Sequence, residues 1–600
     1  MVGVLLGVVS CASIPTDSAV TSGGPALPER PVRELVAGPA AGVRPAELVA
    51  AFLEAAPGAP DEYEVARSFL TPERAGQWRP EQGTVVYSGD APAVRVSGEV
   101  IDVPGNGSGP VAGVDPEESP AAEAPPADTP AAADSDPAPE PQPVSASVRV
   151  EVAATVDADG RFVPAPTGQT QVVDFVLRRV GGQWRIDELP DVVLVSEPDF
   201  AFQYRNYPLW FLDPAREVLV PESRWLPNTG AAVTRLVSEL LEGPSPWLAE
   251  AVVTAIPPGT QLAPPRSVIT EAGAAVLELT GQAREASRDD RALMRAQMLA
   301  TLQPVLGVRE VELRVDGGEL DVPAGRAVPT VDEATVADPV LVDDSSVLRL
   351  RGTRLVPVER VGSLAGLDAS NPAVSLDGMR FAVLTSQRSQ LRLLELGTGE
   401  WSEARLTGFD LTPPSFDRRG FVWTTSAPSD GTVRAVALSG DPVSVEATWL
   451  AGRRISTLRV SRDGARVVVA STDDDGLGHV DVAGVVRGGD GTPTRLVEAP
   501  SRSIAPQLER VDEAVWIGSG ELAVLGGEQL TDAPRVHYVA VGGPRRPGRS
   551  ELPGMTGIAG GQGQRSVLVT LDDGRVLTPS GTTWAQVVAG GLARDPAYPG

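Results

Sequence analysis

From about Val340 onward one pattern recurs: an apolar strand, an Asp-Gly-type turn and a second apolar strand. Asn371-Pro372-Ala373-Val374-Ser375-Leu376-Asp377-Gly378 precedes Arg380–Thr385, and Leu458-Arg459-Val460-Ser461-Arg462-Asp463-Gly464 precedes Arg466–Ser471. Pro414-Ser415-Phe416-Asp417-Arg418-Arg419-Gly420 before Phe421–Thr425 is a worn copy. Glu513–Ile517 with Glu521–Leu525, and Thr556–Ala559 with Ser566–Thr570, are fainter ones. An isolated hairpin is marginal in water, so units repeating every ~40–50 residues must pack against one another. The spacing predicts about five or six units, the first over Ser346–Val358 and poorly marked. An array of β-sandwiches is the alternative arrangement.

The chain before these repeats is built differently. Pro45 opens a helical pattern in which Leu48, Val49, Phe52 and Leu53 share a face. Asp61 is placed to cap a second helix carrying Tyr63, Ala66 and Phe69. Thr71-Pro72-Glu73 starts a third, with Thr as cap, Pro at the first helical position and an acid in the first turn. Strand patterns follow at Thr84–Ser88, Val94–Asp102, Ser145–Asp157, Gln171–Val180 and Gln183–Glu188, with Gly181-Gly182 as a hairpin turn. Residues 104–143 are almost entirely Pro, Ala, Asp, Glu, Ser and Gly, and bury too little apolar surface to offset their ordering entropy. They read as a disordered insert within a domain spanning 45–197.

A further unit, 198–325, mixes strands and helices. Leu209–Leu212 with Val218–Val220 reads as a hairpin, and Val252–Ala255, Val268–Thr270, Ala275–Leu279, Val308–Val315 and Glu319–Val322 as strands. Ala231–Leu241 is an amphipathic helix that ends at Gly243-Pro244, and Asp289–Leu302 is a second. This order implies α+β packing.

At the other end lies the only cysteine of the 600 residues. Cys11 cannot form an internal disulfide, and it closes the apolar run Val2–Val9. That run is too short to span a bilayer, which takes about 20 residues, but it suits the apolar region of a secretory signal with small Ser10 at the cleavage point. Residues 1–10 therefore read as a signal peptide, cut between Ser10 and Cys11. Residues 11–44, rich in Pro, Gly, Ser and Ala, read as a flexible tether. A net charge of −28 argues against nucleic acid, which needs a basic footprint, and against attachment to anionic lipid by charge alone. With no transmembrane run, membrane attachment must pass through Cys11.

These phrases carry several resemblances. Val8-Val9-Ser10-Cys11 resembles the lipobox of bacterial lipoproteins, in which the cysteine receives a diacylglyceryl group and usually an amide-linked acyl chain. Helices followed by a sheet ending in Gly-Gly-x-Trp-x-Ile resemble the cone-like NTF2 superfamily, where Trp78 and Trp184 are candidates to line a pocket, against the simpler reading that both are core. Trp210-Phe211-Leu212-Asp213, Leu241-Glu242-Gly243-Pro244-Ser245, Ala255-Ile256-Pro257-Pro258-Gly259-Thr260 and Arg295–Leu302 resemble the GerMN domain, generally a non-catalytic interaction module. The repeats of 340–600 resemble TolB-like β-propellers. In this order the set resembles the actinobacterial LpqB lipoprotein family. The fold class expected is thus multidomain: an NTF2-like α+β domain, a GerMN-like α+β domain and an all-β propeller. The resemblance implies a protein lipid-anchored on the extracytoplasmic face of the cell membrane. Its implied partner is the extracellular domain of the sensor kinase MtrB, and its implied role an accessory of the MtrA–MtrB two-component system that affects cell-wall homeostasis and division.

The search for chemistry yields no catalytic residues, metal site or cofactor. His479 and His537 are the only histidines, and Gly-x-Ser-x-Gly does not occur. Asp473-Asp474-Asp475-Gly476 lacks the alternate ligand spacing of a calcium loop and reads as a turn. The readings that compete with a non-enzymatic regulator are a propeller-based cell-wall glycan hydrolase or lyase, and an envelope protein that binds lipid or glycan. The anchor is tested by Cys11→Ala. We expect it to move the protein from the membrane fraction to the soluble or secreted one, because acyl chains contribute ~0.8 kcal/mol per buried CH₂; retention in washed membranes on fractionation would contradict the lipobox reading.

Overall fold

The computed structural model describes residues 37–600 apart from 58–62, 98, 102–141, 229–231, 270–272, 306, 324–328, 330, 332–336, 499–501 and 549–550. Ser10, Cys11, Asp61 and nearly all of the expected insert lie outside the described residues.

The N-terminal domain begins with α1 (Pro45–Ala55), α2 (Glu64–Arg67) and α3 (Pro72–Gln77). Thr71 caps α3 by accepting the Arg74 N–H at 3.4 Å. The second helix is a single turn, shorter than the pattern predicted, yet Ala66 and Phe69 are buried as expected. The strands are β1 (Gly83–Ser88), β2 (Val94–Val96), β3 (Glu99–Ile101), β4 (Val144–Asp157), β5 (Phe162–Pro164), β6 (Thr170–Val180), β7 (Gln183–Glu188) and β8 (Val193–Ser196). They form one sheet in which β4 pairs with β1, β2, β5 and β6. The single strand expected over Val94–Asp102 is instead the antiparallel pair β2–β3, because the chain turns at Ser97.

Alternate residues of β4 face the helices, so Ala146, Val148, Val150, Val152, Ala154 and Val156 are buried against α1. Trp78 is fully buried. Its ring lies 5.6 Å from that of Phe52 and its indole N–H donates to Pro190 O at 3.2 Å. Trp184 is half-buried, with the Arg179 guanidinium 5.0 Å above its ring. Trp78 is thus core, the simpler of the two expectations, whereas Trp184 is half-buried at the edge of that core beneath Arg179.

Helix α4 (Glu197–Gln203), capped by Ser196, leads into the middle domain. There β9 (Tyr204–Leu212) and β10 (Leu219–Pro227) form a hairpin in full antiparallel register from Tyr204↔Pro227 to Leu212↔Leu219. This ladder is longer than the sequence pattern because Pro208 and Pro221 interrupt its apolar alternation without breaking the pairing. Next come α5 (Ala232–Glu242), α6 (Pro246–Ala249), β11 (Leu262–Ile269), β12 (Ala274–Leu279), α7 (Arg288–Leu302), β13 (Glu310–Val315) and β14 (Gly318–Glu319). Val252–Ala255, expected as a strand, makes only the single bridge Leu212↔Val253. Strands β12 and β13 are parallel, joined by the α7 crossover.

The C-terminal region resolves into six blades. In blade 2 the strands run Ser370–Val374, Arg380–Thr385, Gln390–Glu395 and Leu406–Thr407 from the axis outward, and blades 3 to 6 repeat this order, except that the outer strands of blades 3 and 4 meet in a parallel bridge, Glu446↔Arg495, and Arg502–Ser503 adds to the third strand of blade 4. Blade 1 differs. Val340–Val342, Val347–Arg351 and Arg354–Pro357 are its outer three strands, and Arg594–Ala597, from the far end of the chain, pairs with Val340–Val342 as the innermost. The ring is thereby closed by hydrogen bonds between its two ends, and the weakly marked first unit turns out to be a composite. The repeated turn has a common mechanism. Ser375 Oγ donates to Asp377 at 2.5 Å and accepts the Arg380 N–H at 2.9 Å, while Ser461 does the same with Asp463 and Arg466 at 2.6 and 3.2 Å. In the worn copy Asp417 replaces the serine, and its carboxylate accepts the N–H groups of Arg419 and Phe421.

Because Trp78 fills the N-terminal core, Trp78→Ala should cost about 3–5 kcal/mol of unfolding free energy. A change below about 1 kcal/mol in denaturant unfolding would instead mark a ligand-lining role with a tolerant cavity.

Candidate functional site

Trp225, in β10, touches all three domains. Its backbone N–H donates to Gly160 O in the β4–β5 turn at 2.7 Å. Its ring lies 5.9 Å from Phe162 and 5.0 Å from Phe200 of the N-terminal domain. Its indole N–H donates to Gly542 O of blade 5 at 2.8 Å. The backbone approaches closely on both sides: Gly160 has φ +78° with Trp225 O 3.0 Å from where a Cβ would stand, and a Cβ on Gly543 would lie 2.9 Å from Ala540 Cβ and 3.2 Å from the indole.

The seam between β10 and the propeller is held by a buried guanidinium. Arg466, 1 % exposed, pairs with Asp463 at 2.5 Å, donates to Ser519 O at 2.5 Å and lies 5.0 Å above the Trp516 ring. One nitrogen reaches back to Pro221 O in β10 at 3.5 Å. Nearby, α6 rests directly on blade 4: a Cβ at Gly484 would stand 2.8 Å from Ala251 Cβ and 2.9 Å from Trp247 O. Trp247, Leu248 and Ala251 belong to one apolar core with Val468, Ala470, Val480 and Val482 of that blade. Arg419 of blade 3 adds an ion pair to Asp213 at 3.3 Å, and Arg495 of blade 4 pairs with Glu250. The middle domain and blades 3 to 5 are thus one packed body.

The turns of Ser375, Asp417 and Ser461 all lie at the same end of the ring, the end that faces the middle domain. The channel opens there through a mouth lined by Pro414, Arg459, Arg462, Trp516, Ile558 and Tyr598. Inside, Arg459 Nη1 donates to Pro413 O and Pro414 O at 2.8 and 3.0 Å, and its own carbonyl accepts the Trp516 indole N–H at 3.0 Å. Glu513 accepts the Ile558 N–H at 2.7 Å. Burial pushes its carboxyl up to about 7, with Asp595 and Asp512 adding to the rise and Arg459 opposing it.

The two histidines stand in different blades with different partners. His479 Nε2 meets Asp473 at 2.7 Å, and Asp473 also accepts the N–H groups of Asp475 and Leu477, so the triple-aspartate stretch is a self-bonded turn. His537 is buried, accepts from Arg545 at 2.9 Å and is pushed down to about 4 by burial and then by Arg545 and Arg535. Asp159, Glu239 and Glu242 approach one another where the first two domains meet. Arg235 and Arg224 lie 3.7 and 3.9 Å from Glu239, and Arg161 bonds Asp159, so the trio belongs to an ion-pair network.

Against known proteins, a family model described as "Lipoprotein LpqB, N-terminal domain" matches residues 38–201. A second, "Sporulation and spore germination", matches 208–321, and a third, "Lipoprotein LpqB beta-propeller domain", matches 345–599. The chain is 28 % identical to "Lipoprotein LpqB" of Thermobifida fusca over 98 % of its length and 96 % of that protein. It is 27 % identical to the Streptomyces coelicolor protein of the same name over 100 % of its length and 97 % of that protein. The chain belongs to the LpqB lipoprotein family. It is therefore an envelope lipoprotein. Among solved structures, TolB from Acinetobacter baumannii aligns over 43 % of this chain and 65 % of its own at 15 % identity and a TM-score of 0.29. The first GerMN domain of GerM from Bacillus subtilis aligns over 22 % of this chain and 96 % of its own at 21 % identity and a TM-score of 0.18. No helix among the described residues is long and apolar enough to cross a membrane.

None of the interdomain residues was legible as such in the sequence. Arg466 and Trp225 sit in strands that pair with their sequence neighbours, and only their side chains reach remote groups, Pro221 and Ser519 for the first and Gly542 for the second. Trp225→Ala should cost about 2 kcal/mol or more and split a single calorimetric unfolding transition into two; an unchanged single transition would show that Trp225 does not couple the domains.

Proposed function

We propose that the protein is held on the extracytoplasmic face of the cell membrane by acyl chains on Cys11. There it acts without catalysis as an accessory of a two-component sensor kinase, the MtrB of the MtrA–MtrB system, with effects on cell-wall homeostasis and division. The observation that carries this reading is the three-domain junction at Trp225 with the continuous core beside it. A scaffold of this kind presents a rigid surface to a partner, and rigidity lowers the entropic cost of binding.

A glycan hydrolase needs two carboxyl groups flanking the scissile bond. The channel offers Glu513 tied to a backbone N–H and facing the Arg459 guanidinium, a carboxyl group held by protein partners. The NTF2-like cone, with Trp78 in its core, favours neither lipid nor glycan. The test is titration of the full-length, detergent-solubilised protein with the soluble extracellular domain of MtrB. We expect saturable binding at micromolar concentration or tighter; no binding at high micromolar concentration would remove this partner.

A further inference from the structure

We propose, on the reading of Cys11 as the anchor, that the tip of the β6–β7 hairpin is a second membrane contact, lying against the anionic phospholipid headgroups of the bilayer that holds the protein. Gly181 and Gly182, with φ +59° and +81°, form the two-residue turn between Val180 and Gln183. Arg178, Arg179 and Val180 are exposed there, Val180 at 41 %, and Trp184 and Arg185 are half-buried beside them. An exposed apolar residue, an indole and three guanidiniums on one hairpin tip are groups that settle at a bilayer surface. Aromatic rings take the interface and long basic side chains reach the phosphates.

Neighbouring acids do not cancel this charge. Arg178 pairs with Asp187 at 2.7 Å, whereas Arg179 lies 5.0 Å over the Trp184 ring and Arg185 donates to Trp184 O at 2.6 Å. Among the described residues neither of the latter two forms an ion pair with a carboxylate. Glu188, the other acid of β7, stands at the far end of the strand, opposite Val176. The net charge of −28 belongs to the whole chain, and at physiological salt exposed charges beyond ~8 Å are screened, so the local excess decides the contact. Near anionic lipid each such arginine strengthens attachment about five-fold. That is too little to hold a free protein but enough to dock a tethered one, whose local concentration at the surface is high.

Two features of the fold turn this tip toward the membrane. The Gly42 N–H donates to the Gln183 side-chain oxygen at 2.9 Å, so the chain coming from Cys11 meets the folded body at this hairpin. About thirty residues separate Gly42 from Cys11, a reach of at most ~100 Å. The other pole of the domain is occupied. The tip lies beyond the Val144 end of β4, where Val144 pairs with Leu177, while the Asp157 end, with Gly160 and Phe162, carries the Trp225 junction. The 14 residues of β4 set these ends about 45 Å apart at ~3.3 Å per residue. The middle domain and the propeller therefore stand on the side away from the bilayer.

The test couples the full-length, unacylated protein to maleimide-bearing lipid in vesicles through the thiol of Cys11, its only cysteine. Attachment is then supplied chemically, so failure of the acylation reading is not mistaken for failure of this one. Hydrogen exchange, read as peptide mass, is compared on vesicles of phosphatidylglycerol and of phosphatidylcholine. We expect exchange over residues 178–185 to slow about five-fold or more on phosphatidylglycerol and not on phosphatidylcholine. It should recover in about 0.5 M salt, and the blades should be unchanged throughout. The double variant Arg179→Gln, Arg185→Gln should lower the ratio of docked to undocked protein about twenty-five-fold, five-fold per arginine. If that variant fails to fold, the lipid and salt comparisons decide the matter in the unaltered sequence. Unchanged exchange at 178–185 on phosphatidylglycerol, equal protection on phosphatidylcholine, protection of the blades in place of the hairpin, or full protection in the folded double variant would each overturn the assignment. Stronger protection by soluble polyphosphate than by vesicles would also overturn it and make the partner an acidic polymer.

Discussion

One side chain, Trp225, makes contacts with all three domains. An indole offers a large apolar surface and one N–H donor, and here the surface lies on Phe162 and Phe200 while the donor reaches Gly542 of the propeller. The residue itself belongs to a hairpin that joins neither neighbour's sheet. A β-hairpin alone is marginal in water, so β9–β10 gains its order from burial against α7, the N-terminal domain and the blades. The same dependence makes it a coupling element: any shift of the hairpin is felt on both sides.

Arginine performs tasks in this chain that lysine cannot. The sequence contains no lysine, and several guanidiniums are interior. Arg224 pairs with Glu222 at 3.1 Å, both 1 % exposed, and Arg487 pairs with Asp417 at 2.7 Å beneath blade 3. Burial raises the Glu222 carboxyl, but Arg224 and the bonds from Ser245 outweigh it and hold the group below its usual range. A planar, weakly hydrated cation with five donors satisfies carbonyls and carboxylates together, which is how Arg466 binds Asp463, Ser519 and Pro221 at once. Such pairs contribute little net stability compared with apolar substitutes, but removing one partner strands the other. They specify which blade meets which strand.

Local features were read well from sequence where their cause is local. The Thr71 cap, the alternation of β4, the amphipathic faces of α5 and α7 and the Ser-x-Asp-Gly turns all arise from interactions within a few residues. Misreadings share one cause, competition from distant partners. Val252–Ala255 has the composition of a strand but finds only Leu212 to bridge. The hairpin β9–β10 outruns its apolar pattern because its register is set by the ladder and not by Pro208 or Pro221. Blade 1 is weakly marked because its axial strand, Arg594–Ala597, lies more than two hundred residues away.

The sequence by itself determined the number and kind of building units. Hydrophobic periodicity, caps and turn chemistry act over a few residues, and together they specified helices, then a sheet, then a mixed unit, then repeated hairpins. It also places the lone cysteine, Cys11, behind an apolar run, the pattern on which the lipobox expectation rests. Only the tertiary structure decided how the units lock together. The Trp225 junction, the close approach at Gly484, the buried Arg466 and the guanidinium at the channel mouth depend on groups brought together from far apart in the chain. Their energies come from excluding water between surfaces that no local pattern pairs.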